Sequence, residues 1–282
     1  MEEHKSGFIR FERSLPYQVR EMIESRPVAY VPLGALEWHS EHQALGLDGI
    51  KAEAICERAA AKTGGVLFPV MYWGAFNTMR FPFTFHFSKR AMKKQVRVTL
   101  RSLAAWGFRS IVLLSGHYPY AQISMLRREC RRAARRYGVG ALGIPEPALA
   151  VDLGYLGDHA AKWETSLLMA IEPELVDLSR LPEDTGSLGE RSVKYGITGI
   201  CPKKEADPEL GQRTLDTIVE RLAAAARRML QEGSPAAAEE IYGRHTAVFK
   251  DAIQAGRTAF GVESKWEIVR FTICNFFRER HL

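Results

Sequence analysis

Glu37 and His39 stand two residues apart, directly after an apolar run over residues 28–36. In an extended segment alternate side chains point the same way, so the pair presents a carboxylate and an imidazole side by side, an arrangement suited to a metal ion. Asp48, a short loop later, adds a carboxylate able to bridge two cations, and His117, in the stretch Ser115-Gly116-His117, adds a second imidazole. Mixed nitrogen and oxygen ligands favour zinc, manganese or iron(II) over magnesium or calcium, without choosing among the three. Two such cations about 3.5–4 Å apart would activate a bridging water and polarise a carbonyl. Taken singly, each residue has an ordinary use: a Glu-x-His surface pair, an aspartate capping a helix, a Gly-His turn. What sets them apart is that they follow apolar runs with no structural need for them.

The elements that must position these residues can be read from hydrophobic periodicity. Residues 28–36 predict a buried strand and residues 48–62 a helix that Asp48 opens and Gly64-Gly65 stops. A short strand over 66–70 leads into an aromatic loop over 72–87. A helix over 92–106 follows, then a strand over 110–114 that ends at the Gly-His turn, and Pro119 sits where the next helix begins. A strand near 140–144 comes next, then a helix from about Asp158 to before Pro173, and a long helix over about 212–231. Strands alternating with helices predict an α/β fold, a three-layer αβα arrangement around a mostly parallel sheet. In such sheets ligands gather beyond the carboxyl ends of the strands, so Glu37, His39 and His117 can meet although about eighty residues separate them. Residues 1–232 read as one domain. Residues 233–282 read as an appended helical tail whose apolar stripe, Trp266, Val269, Ile273, Phe276 and Phe277, suits a core or a subunit contact.

The bulk properties exclude several classes. Hydrophobic and charged contents are those of a globular protein. The net charge of +6 is modest for this length. Its densest part, Arg127, Arg128, Arg131, Arg132, Arg135 and Arg136, reads as the solvated side of an amphipathic helix whose apolar side carries Ile123, Leu126 and Cys130. No aromatic interleaving accompanies it, so no nucleic-acid partner is expected. Cys56, Cys130, Cys201 and Cys274 lie far apart without a C-x-x-C pair, which suggests a reducing compartment. No stretch approaches the roughly 18 apolar residues of a membrane span. The expectation is a cytoplasmic protein acting on a small molecule, with no membrane partner.

Three blocks carry a resemblance. VPLGALEWHSEHQALGLDGIKAEAI resembles the hallmark segment of the creatininase family, approximately P-x-G-x-x-E-x-H-x-x-H-L-P-x-x-x-D. LLSGHYPYAQ is similar to its N-G-H-x-x-N block, and GDHAAKWETSLLMAIEPELVDL to its D-x-H-A-x-x-x-E-T-S-x-x-L-x-x-x-P-E-L-V block. GITGICPKKEADPELGQRTLD resembles the closing Gly-x-x-Gly-Asp segment, so the likeness covers residues 15 to 232. It implies that Glu37 and His117 hold one divalent cation, that His39 helps hold another and that Asp48 bridges them, with Zn2+ the first expectation and Mn2+ or Fe2+ the others. It also implies His159 as general acid/base and Glu164 as a carboxylate at or beside the metals. Tyr118 and Tyr155 fall where the family lines its substrate pocket. Relatives form hexamers built from dimers, which implies a homo-oligomer, hexamer or dimer.

The departures bear on the substrate. Creatinine-hydrolysing members carry His-Tyr-Glu where this chain has His117, Tyr118 and Pro119, and that glutamate is a ligand of the second metal. The family's Glu-His and F-P-G-T elements appear here as Asn77-Thr78 and Phe81-Pro82-Phe83-Thr84, with Phe83 reshaping the pocket. The resulting expectation is a metal-dependent amidohydrolase that cleaves a cyclic amide or other amide C–N bond of a small polar molecule other than creatinine. A ring-opening C–C hydrolase acting on a keto-cyclitol is the first alternative. A catalytically silent oligomeric scaffold is the second.

Overall fold

The structure is a computed structural model that describes residues 7–74, 81–262, 264, 266 and 267. Five strands, β1 (Phe8–Arg10), β2 (Val28–Leu33), β3 (Gly65–Leu67), β4 (Ser110–Ser115) and β5 (Gly140–Pro145), form one sheet in the order β1-β3-β2-β4-β5. Every neighbouring pair is parallel. Strands β2, β4 and β5 are buried at every position, which is why they read as unbroken apolar runs rather than alternations.

Helices α1 (Pro16–Ser25), α2 (Leu47–Thr63), α3 (Lys89–Trp106), α4 (Tyr120–Tyr137) and α5 (Lys162–Ile171) are followed by α6 (Leu188–Tyr195) and the short α7 (Pro202–Glu205). The chain continues through α8 (Pro208–Glu232), α9 (Ala236–Val248) and α10 (Ala252–Phe260). Side chains alternate along the strands into two cores. Tyr30, Val112, Leu114 and Ile144 pack with α2, α5, α8 and α9, while Val31, Ile111 and Leu113 pack with α3 and α4 on the other face. This is the three-layer α/β arrangement. Each buried leucine in these layers stabilises the fold enough that truncation to alanine costs about 2–5 kcal/mol.

Differences from the sequence expectation concentrate at element ends. The strand expected over 28–36 stops at Leu33, because the Gly34 N–H turns to the carbonyl of Met71 and frees the chain to carry Glu37 and His39 off the sheet. The helix expected from Asp158 begins at Lys162. Asp158 caps it by accepting from the backbone N–H groups of Trp163 and Glu164. Helix α8 begins at Pro208, with Asp207 accepting from Glu209 and Leu210. Strand β1 and helix α1 extend the sheet edge beyond what periodicity indicated.

The arginine-faced side of α4 is only partly solvated. Arg128, Arg131, Arg132, Arg135 and Arg136 are exposed and Arg127 is half-buried, while Arg127 and Arg131 both lie against α9. Arg131 meets Glu239 with two contacts of 2.7 and 2.6 Å, and both guanidinium groups rest on the Tyr242 ring. Ala238, Ile241 and Tyr242 of α9 belong to the same core as β4 and β5, and the Tyr242 hydroxyl accepts from the Gly143 N–H at 2.9 Å. Trp266 is exposed. Val269, Ile273, Phe276 and Phe277 lie outside the described residues, as do Asn77, Thr78 and Cys274. The thiols of Cys56, Cys130 and Cys201 are free. Among the described residues no helix is long and apolar enough to cross a membrane.

Candidate metal centre

The strand order reverses between β2 and β4, and a crevice opens beyond their carboxyl ends at such a point. The loop after β2 brings Glu37 and His39 there, the turn after β4 brings His117, and the first turn of α2 lays Asp48 between them. The glycines make this approach possible. A Cβ on Gly116 would collide with the Asp48 carbonyl, and one on Gly34 with the backbone of Gly49, so the strand ends press directly on the start of α2.

The polar atoms converge. His39 Nδ1 lies 2.9 Å from the Glu37 carbonyl oxygen, which can only accept. The proton of the neutral ring therefore sits on Nδ1 and the Nε2 lone pair points inward. Nε2 is 3.4 Å from Asp48 Oδ1 and 3.6 Å from Glu164 Oε2. His117 Nδ1 is 3.0 Å from both Glu37 Oε2 and Asp48 Oδ2. Ligand atoms within 4.8 Å of one another define three sets: Glu37, Asp48 and His117; His39, Asp48 and Glu164; and Glu37, His39 and His159. Asp48 is common to the first two. Glu37 Oε2, Asp48 Oδ2 and His39 Nε2 are buried without a hydrogen bond, which is how a ligand cage for a cation is built.

The electrostatics point the same way. Five carboxylates, Glu37, Asp48, Glu146, Asp158 and Glu164, are buried around one buried ammonium, Lys51, which lies 2.7 Å from Glu146 and 2.6 Å from Glu164. Buried charge without compensation costs several kcal/mol per ion, so the cluster calls for additional positive charge. Burial lowers the pKa of His39 and His117, yet Asp48, Glu164 and Glu37 override it and push the rings up to about 9 and about 10. A field that holds protons on two buried rings also suits divalent cations in their place. Burial works against ionised Glu37 and Asp48 too, but the neighbouring imidazoles hold both below the usual carboxylate range.

His159 stands at the mouth of this cluster. Its backbone pairs with Thr198 in both directions at 2.8 Å, its ring lies on Phe81 at 5.1 Å, and Nε2 is 3.1 Å from the Trp38 carbonyl. The carbonyl accepts a hydrogen bond from Nε2–H, which leaves Nδ1 as an acceptor. Burial lowers its pKa, so the ring is neutral near pH 7 and able to receive a proton. A cavity of about 480 Å³ opens beside it, lined also by Tyr118, whose hydroxyl donates to Glu164 Oε1 at 2.7 Å.

The other pocket candidates fall elsewhere. Tyr155 is fully buried behind the wall, its hydroxyl donating to Glu146 at 2.9 Å and its ring stacked on Trp163. Phe83 is 76% exposed, at a positive φ, and does not line the cavity. Lys51 and Glu146 are site residues that the sequence reading passed over. Lys51 falls three residues after Asp48, on the same face of α2, and that spacing was an available signal. His42, the last histidine of the His-x-x-His element, is buried against Thr165 at 3.2 Å and pushed down to about 3 by burial and the neighbouring His39 and His159.

Fold and site together define an α/β protein with a buried carboxylate–imidazole cluster at a sheet switch point, whose residue groups could hold cations, and a cavity beside His159. The family model for creatinine amidohydrolase matches residues 15–226, and the chain belongs to the creatininase family. It is 29% identical over 231 residues to the creatinine amidohydrolase of Pseudomonas putida, covering 71% of this chain and 88% of that protein. A crystal structure of creatinine amidohydrolase superposes with a TM-score of 0.68 at 24% identity, covering 80% of this chain and 98% of that one. A manganese creatininase superposes with a TM-score of 0.65, also at 24% identity, covering 79% of this chain and 98% of that one.

Proposed function

We propose that the chain is a metal-dependent amidohydrolase that cleaves a cyclic amide or other amide C–N bond of a small polar molecule other than creatinine. The observation that carries this reading is the split of the Asp48 carboxylate, with one oxygen toward His39 and the other toward His117, inside a pocket of orphaned buried ligand atoms. Glu37, Asp48 and His117 would hold one divalent cation, and His39, Asp48 and Glu164 a second, with Zn2+ favoured and Mn2+ or Fe2+ the other candidates. Glu164 would supply the carboxylate that a proline at position 119 cannot. Bound there, the cations would polarise the substrate carbonyl and acidify a water.

The remaining steps belong to side chains of this chain. His159 Nδ1 takes a proton from the attacking water and returns it to the departing nitrogen, work suited to a neutral imidazole facing the cavity. The Trp38 carbonyl and the Phe81 ring fix that imidazole's tautomer and angle. Lys51 and the Tyr118 hydroxyl hold Glu164 Oε1, and the Ala160 N–H holds Oε2 at 2.8 Å, so Glu164 keeps its aim toward His39.

Metal analysis of the purified protein, paired with hydrolysis assays, tests this reading. The expected result is near-stoichiometric transition metal that is lost in Asp48→Ala together with activity, by more than about a hundredfold. Release of amine or formate would support the amide reading. A new carboxylate without nitrogen release would show that a ketone ring is cleaved instead, and metal-free, folded, inactive protein would contradict the enzyme reading altogether.

A further inference from the structure

The cavity beside His159 has a wall outside the family-matched segment. The match ends at residue 226, whereas α9 with its C-cap Phe249, and α10, contribute His245, Thr246, Phe249 and Ala259 to the cavity that His159 and Tyr118 line. Helix α4 contributes Arg127 to the same wall.

Arg127 is half-buried, and its polar contacts are with neutral groups. One terminal nitrogen donates to Thr246 Oγ1 at 3.3 Å and the other faces His245 Nδ1 at 2.5 Å, while the plane rests on the Tyr242 ring at 5.1 Å. Its Nε is buried with no partner. The acid nearest in sequence on α9, Glu239, is occupied by Arg131 in a two-point contact, and among the described residues no carboxylate pairs with Arg127. His245 cannot compensate, because an imidazole supplies no negative charge, and it stays neutral here as burial and the adjacent guanidinium push it down to about 4. A guanidinium this desolvated is normally paired, because its rigid donors match a carboxylate and an unpaired buried charge is costly. The rest of the cavity is largely apolar, with Ile123, Leu156, Phe249 and Phe260 along its sides.

We propose, on the reading that the metal centre hydrolyses an amide, that the substrate carries a carboxylate at the end remote from the scissile bond and that Arg127, held by α9, receives it. The apolar walls between Arg127 and His159 accept a hydrocarbon or aromatic spacer. Arg127 is then a specificity-determining residue placed by the C-terminal helices. A neutral substrate would leave its charge desolvated and unpaired.

The test uses the full chain loaded with zinc and a matched pair of probes, carboxyphenylhydantoin and phenylhydantoin, with affinities measured by calorimetry and hydrolysis followed separately. The carboxylate form is expected to bind at least about tenfold more tightly. In Arg127→Met the ratio of the two affinities is expected to fall to near one, and in Arg127→Lys, which keeps the charge but not the fork, to an intermediate value. Because the readout is a ratio within one variant, general damage to the pocket does not imitate it. Equal affinities in the wild type, binding of neither probe, or a ratio unchanged in Arg127→Met would overturn the proposal. If the ratio behaves as expected but neither probe is cleaved at its amide bond, the carboxylate subsite stands and the amidohydrolase reading fails.

Discussion

Asp48 Oδ1 lies 3.4 Å from His39 Nε2, while the other oxygen of the same carboxylate lies 3.0 Å from His117 Nδ1. One fully buried side chain at the first turn of a helix thus belongs to two ligand sets at once, and the glycines at the ends of β2 and β4 let the strands come close enough for both imidazoles to reach it. The site is therefore a property of the sheet's switch point as much as of its individual residues.

Under the proposed function His159 transfers a proton rather than holding a cation, because each of the two sets that share Asp48 offers three ligand atoms without it. In His159→Asn, kcat is expected to fall by about 10²–10⁴ with metal content unchanged. Steady-state kinetics with metal analysis on the same sample checks this. Loss of metal in proportion to activity would show that the ring is a ligand instead.

Lys51 is fully buried between Glu146 and Glu164 and is the only ammonium in the cluster among the described residues. Removing it leaves two carboxylates unpaired, and burial already pushes Glu146 up to about 7. Lys51→Met should lower unfolding stability by about 3–5 kcal/mol, and adding Glu146→Gln should recover part of the loss. Denaturant midpoints of the two variants measure it. A loss in Lys51→Met below about 1 kcal/mol would mean the site tolerates the bare carboxylates.

Much of this was legible in the sequence, for physical reasons that particular residues illustrate. The runs before Glu37 and His117 are apolar because β2 and β4 are buried on both faces, so polar residues right after them stand out. Lys51 shares a helix face with Asp48, a signal available in the spacing, but a lysine within a helix normally faces water, and the fold shows that this one faces Asp48, Glu146 and Glu164. The direction of a loop side chain is not encoded locally. Phe83 turns to solvent, and Tyr155 turns inward to Glu146. Arg127 read as solvated because its cover, α9, lies more than a hundred residues away in the chain. Strand β1 has three residues, too few to show a period.

Tyr242 fastens the C-terminal helices to the sheet through its hydroxyl and the Gly143 N–H. Tyr242→Phe leaves that buried N–H unpaired and should cost about 1–3 kcal/mol. Unfolding midpoints compared with the wild type would reveal it, and an unchanged midpoint would show that the hydrogen bond adds nothing.

His245 predicts an acid-sensitive contribution to stability. Its folded pKa is lowered from 6.5 to about 4 by burial and the Arg127 charge. Below 6.5 the unfolded chain binds a proton that the folded chain does not, so stability is lost as pH falls from about 6.5 to about 4 and is flat with respect to this group above that range. Wild type and His245→Gln compared by unfolding across this range should diverge in that direction. Parallel curves would contradict the assignment.

The central claim is that cations sit on both sides of Asp48. Anomalous diffraction at the zinc and manganese edges from crystals grown with each metal tests it directly. The account predicts one peak bounded by Glu37, Asp48 and His117 and a second bounded by His39, Asp48 and Glu164, about 3.5–4 Å apart. Crystals with ordered side chains at these positions and no anomalous peak beside Asp48 in either metal would contradict it.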